Sequence, residues 1–104
     1  MSFSYNEKQG LIGYIRKLAI KYRIGYELAL VDDGLLVILT KHLTSIQLNI
    51  TKKSFYYIHY MKFFNIHQGD NDYISEDFVF DNIEEVIQFI DDIFNTIIPP
   101  RIYL

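Results

Sequence analysis

The chain contains no cysteine. That absence excludes disulfide bridges, thiolate nucleophiles and cysteine-ligated metal centres, and it accords with a reducing cytoplasm. Proline occurs only as Pro99-Pro100. The five glycines, Gly10, Gly13, Gly25, Gly34 and Gly69, never gather into a loop whose backbone N–H groups would cradle a phosphate. Long apolar runs are missing as well. The longest uncharged one, Leu35 to Leu39, ends at Thr40-Lys41, far short of the roughly 20 residues needed to span a bilayer. Met1 to Gly10 has no basic segment leading into an apolar one, so no secretory signal is expected and the chain reads as soluble and cytoplasmic.

Catalytic signatures are equally scarce. None of the five serines, Ser2, Ser4, Ser45, Ser54 and Ser75, lies in a Gly-x-Ser-x-Gly elbow, which argues against acyl transfer. His42, His59 and His67 are spaced too widely for a His-x3-His pair or a finger. A site built from His59, His67 and Asp70 or Asp72 is less expected than ordinary hydrogen-bonded histidines. Asp70-x-Asp72 lacks the glycine and the closing glutamate of a calcium loop, so a solvated turn is the expectation. The pairs Glu84/Glu85 and Asp91/Asp92 fall on the polar face of a helical pattern, and a convex face does not shift a carboxyl pKa for acid–base work. No enzyme activity, metal or cofactor is expected.

What is present is a core. Of 104 residues 50% are hydrophobic, 16% aromatic and 22% charged, a composition that excludes disorder and suits one domain. The net charge of −3 conceals an asymmetry. Residues 1–53 carry eight Lys and Arg against four acids, whereas residues 54–104 carry only Lys62 and Arg101 against nine acids. Two faces of opposite sign are expected after folding, and such fields steer charged partners.

The periodicities predict an α+β domain: an N-terminal helix, an antiparallel meander of about four strands and a C-terminal helix, forming a two-layer sandwich. Ser4-x-x-Glu7 has capping-box spacing and opens a helix whose stripe is Leu11, Ile15, Leu18 and Tyr22, with Gly25 as its stop. Asp33-Gly34 between two apolar runs predicts a hairpin whose turn needs positive φ. The unalternating run from Leu35 predicts a central strand covered on both faces or nearly so, and Thr44 to Ile50 alternates as a half-exposed one. The aromatic run Ser54 to Phe64 continues the meander, and Tyr73 to Phe80 would add one short strand. Asp81-x-x-Glu84 should cap the last helix, which Pro99-Pro100 ends and whose stripe is Ile83, Val86, Ile87, Ile90, Phe94 and Ile97. Ile102 to Leu104 is either a tail strand or a packed end.

Recognition is the function class left. Asp70, Asp72, Glu76, Asp77, Asp81, Glu84, Glu85, Asp91 and Asp92 interleave with Tyr73, Phe78, Phe80 and Phe89, a mixture that suits clamping a basic surface. The plain alternative is a solvated acidic helix face. A competing patch, Arg16, Lys17, Lys21 and Arg23 with Tyr14, Tyr22 and Tyr26, would track a nucleic acid, although a pI near 5.5 argues against it.

The segment Phe78-Val-Phe-Asp-Asn-Ile-Glu-Glu-Val-Ile-Gln-Phe-Ile90 resembles the C-terminal element of small bacterial immunity proteins of contact-dependent growth inhibition and other polymorphic toxin systems. Phe, Tyr, Met, Ile, Asn and Lys make up 49 of the 104 residues, a bias that AT-rich coding DNA, common on mobile and horizontally acquired elements, would produce. The resemblance implies a cytoplasmic, non-catalytic protein that binds one cognate toxin domain, often a basic nuclease, and blocks it. Carried over by position, the contacts would be Asp70, Asp72, Tyr73, Glu76 and Asp77, with Glu84, Asp91 and Asp92. A phage-encoded inhibitor of a host defence nuclease has the same physical requirements. Whether the chain forms a homodimer is left open.

Overall fold

The computed structural model describes residues 3–64 and 73–97. In chain order these form α1 (Tyr5–Tyr22), β1 (Gly25–Val31), β2 (Gly34–Lys41), β3 (Thr44–Lys52), β4 (Tyr56–Phe63), β5 (Tyr73–Phe80) and α2 (Ile83–Ile97). The sheet is a five-stranded antiparallel meander in the order β1-β2-β3-β4-β5. Tyr73 to Phe80 is thus a full eight-residue strand and the fifth of the sheet. The expectations for Gly69 to Asp72, His67, the Pro99-Pro100 stop and the Ile102 to Leu104 tail lie outside the described residues.

Register explains where the core lies. Leu35 pairs with Ile50, Val37 with Leu48 and Leu39 with Ile46, and Ile58 stands opposite Ile50. Since strand side chains alternate, these residues share one face, and all are essentially inaccessible. Both helices pack there: Leu11, Ile15 and Leu18 of α1 and Val86, Ile90, Ile93, Phe94 and Ile97 of α2 join the same cluster. Among the described residues no helix packs on the opposite face. Leu36 and Ile38 sit on it half-buried, so β2 is covered on one face and not on both. Its apolar run reflects an interior position flanked by strands on each side.

Local chemistry departs from the sequence expectations at three points. At the start of α1 the Ser4 hydroxyl accepts from the Glu7 N–H at 3.1 Å, but the Glu7 carboxylate turns away to Lys52 (3.0 Å) and the Tyr56 hydroxyl (2.6 Å). Only half of the capping box forms, and Glu7 pins the helix to the sheet instead. The Tyr56 hydrogen bond, with Lys52 beside it, holds the Glu7 carboxyl below its ordinary pKa. At its C-terminus α1 stops at Arg23 rather than Gly25. Arg23 adopts φ 56°, its N–H donates to the Ile20 carbonyl, and the Ile24 N–H donates to Ala19 at 2.9 Å, a Schellman closure. For α2 the cap is Asn82, one residue later than expected: its Oδ1 accepts from the Glu85 N–H at 3.0 Å.

The β1–β2 hairpin forms, but for a different reason. Val31 pairs with Gly34 across Asp32-Asp33, and neither aspartate has positive φ. Gly34 is required by close approach: a Cβ there would overlap the Ile50 carbonyl and stand 3.0 Å from the Thr51 methyl.

Candidate partner-binding surface

Pleating divides β5 between two environments. Phe80 pairs with Tyr56, Phe78 with Ile58 and Glu76 with Tyr60, so these residues share the helix-bearing face of the sheet. Tyr73, Asp77 and Val79 point to the opposite, open face. On α2, Glu85, Phe89, Asp92 and Thr96 recur at intervals of three and four and line the side that looks toward β5. A groove results between helix and edge strand.

Its floor is aromatic. The Phe89 ring lies 4.7 Å from Phe78 and 5.3 Å from Phe80, and Tyr60 meets Phe78 and Phe89 edge-on at 6.2 and 6.3 Å. Two adjoining concavities of about 240 and 220 Å³ flank Phe89 and share Asp92. Three carboxylates, Glu76, Glu85 and Asp92, line them, and among the described residues no Lys, Arg or His does. Gln88 donates to Asp92 at 3.1 Å and Asn82 to Glu85 at 3.3 Å, which orients both acids without neutralising them. Burial, and then the nearby Glu76 charge, push the Tyr60 hydroxyl pKa up, so it remains a neutral donor at physiological pH.

The structure thus separates residues that sequence proximity had grouped. Glu76 and Asp92 line one groove. Tyr73 lies on the open face, its ring 5.6 Å from Phe63, and Asp77 lies there bonded to His59 at 2.6 Å. Glu84 is exposed on α2 outside the groove, and Asp91 faces α1, where its carboxylate accepts from the Tyr14 hydroxyl. Asp70 and Asp72 lie outside the described residues. Glu85 was missing from the expected contacts, although its seven-residue spacing from Asp92 placed both on one helix face. Tyr60 had no sequence signal, because only the β4–β5 register sets it beside Glu76.

The basic patch is altered more. Arg16, Lys17, Lys21 and Arg23 are exposed, but Tyr14 is bonded to Asp91 and Tyr22 stacks on Phe94 at 6.3 Å. Two of the three rings that would have stacked on bases are engaged within the fold. Among the described residues no cluster of His, Asp and Glu could hold a metal ion, and no helix is long and apolar enough to cross a membrane. No family model, characterised protein or solved structure matches the chain.

Proposed function

We propose that this protein is an immunity-type inhibitor, cytoplasmic and non-catalytic, that neutralises a cognate toxin domain by seating a basic segment of it in the α2–β5 groove. The observation that carries the reading is the lining of that groove: an aromatic floor under three carboxylates, none of which is in an ion pair among the described residues. Arg or Lys side chains satisfy both parts at once, the stem or guanidinium plane lying on Phe89 and the charge meeting Asp92, Glu85 or Glu76. Nuclease toxins are the expected class, because a surface that binds phosphates is basic and complements this one.

The test begins with a tagged copy in the native host and identification of the toxin it retains at physiological salt. With that toxin in hand, Phe89→Ala should speed dissociation, and Glu85→Lys with Asp92→Lys should slow association about tenfold or more. Each variant should lose protection of cells in proportion. A cognate toxin that binds and is inhibited equally by all these variants would place its interface elsewhere and end the groove reading.

A further inference from the structure

The α2–β5 groove does not end at its acids. The two concavities beside Phe89 share Asp92, and the one lined by Glu76 shares Thr96 with a third, of about 300 Å³, at the C-terminal end of α2. Glu85 and Thr96 stand eleven positions apart on that helix, about 16 Å at the helical rise. Charge changes sign along this line. Lys41, His42 and Lys62 line the third concavity, and among the described residues no Asp or Glu does. Lys41 follows Leu39 by two residues and Lys62 pairs with Ile46, so both lie on the helix-bearing face, at the ends of β2 and β4. Lys41 Nζ donates to the Arg23 carbonyl at 3.2 Å, and Lys62 Nζ stands 5.2 Å from the centre of the Phe64 ring. Neither lysine is in an ion pair among the described residues. Glu76 pairs with Tyr60 and Lys62 with Ile74, which makes Glu76 and Lys62 diagonal neighbours, about 7 Å apart, so the change of sign is abrupt.

Charge complementarity then narrows the occupant. Resting on the groove reading above, we propose that the toxin segment is bipolar: arginine or lysine where it meets Glu85, Asp92 and Glu76, and aspartate or glutamate where it passes Thr96 and reaches Lys41 and Lys62. A segment that was basic throughout would set its far cations against the two lysines, and that repulsion would offset what the carboxylates contribute. The two signs also fix which way the segment lies, its cationic half toward the start of α2. The same arrangement complements the helix dipole, since the last turn of α2 has no basic residue of its own and β2 and β4 supply the positive charge there. A role confined to that would act on stability and leave the choice of ligand unmoved.

Two fluorescent peptides of about ten residues, long enough to cover the groove in extended form, read that choice by anisotropy at physiological salt. Both carry arginine in one half; the other half holds aspartate in one peptide and arginine in the second. The aspartate-containing peptide should bind about tenfold more tightly. Lys41→Glu with Lys62→Glu should reverse the order, and Lys41→Gln with Lys62→Gln, which introduces no new charge, should abolish the preference. Glu85→Lys with Asp92→Lys should weaken both peptides. A preference that is absent, or that survives the lysine substitutions, overturns the bipolar segment, and the groove reading stands as long as Glu85→Lys with Asp92→Lys weakens binding. If neither peptide binds, or both are indifferent to Glu85→Lys with Asp92→Lys, the groove reading falls and the bipolar segment with it.

Discussion

The Tyr14 hydroxyl donates to Asp91 across 77 residues of sequence, joining the two helices at a partly buried point. Hydrogen bonding to that carboxylate, with burial and its charge behind it, pushes the Tyr14 pKa up to about 12, against about 10 for a free tyrosine. The raised value means that the fold favours the protonated form. Its contribution to stability is therefore complete below pH 10 and is lost as pH climbs toward 12. Tyrosinate absorbance should show a late ionisation near pH 12 that Tyr14→Phe abolishes and Asp91→Asn shifts downward. An unchanged curve in Asp91→Asn would show that the carboxylate does not govern Tyr14. At the same scale, Gly34 and Arg23 show conformation and identity parting company: a glycine is kept where φ is ordinary but space is short, and an arginine takes the left-handed position that usually falls to glycine.

Within the helices, the apolar stripe and the exposed face respond oppositely to substitution. Ile90 is 1% exposed amid the sheet-facing side chains of α2, so Ile90→Ala should cost roughly 2 to 5 kcal/mol by opening a cavity. Gly13 sits mid-helix in α1, exposed, and a Cβ there would meet nothing within 4 Å. Gly13→Ala should raise stability by about 1 kcal/mol, since alanine loses less conformational freedom on entering a helix. Urea unfolding midpoints of the two variants measure both effects. A lowered midpoint for Gly13→Ala would mean that the exposed face of α1 is not free.

Across the whole molecule, folding gives the charge asymmetry a direction. The exposed cations of α1 lie on one helix, while Glu76 of β5 and Glu85 and Asp92 of α2 line a groove on the same face of the sheet, at its β5 edge. Steering by such a field weakens with ionic strength, so the association rate with a basic partner should fall steeply as salt rises. Glu76 and Asp77 separate the two faces cleanly. Glu76→Lys should slow association, whereas Asp77→Lys, on the open face beside His59, should leave it almost unchanged. Stopped-flow measurement with the toxin proposed as partner distinguishes them; equal effects would point to long-range charge rather than the groove.

The α+β class, the two amphipathic helices and the antiparallel meander were legible in the chain, because they rest on local periodicity: apolar residues every three to four positions for helices and alternation or β-branched runs for strands. Core residues followed for the same reason, and Leu11, Ile15, Val86 and Ile90 are buried as their stripes required. The candidate site was legible only in part. Acidic residues between Glu76 and Asp92 are neighbours in sequence, but pleating sends Asp77 to the other face, the helix turn hands Asp91 to Tyr14, and the β4–β5 register brings Tyr60 to Glu76. Which side of an element faces which neighbour is a long-range property, set by packing between segments far apart in the chain. Sequence spacing determined the elements and their buried stripes; tertiary packing alone decided which of the acids share a surface.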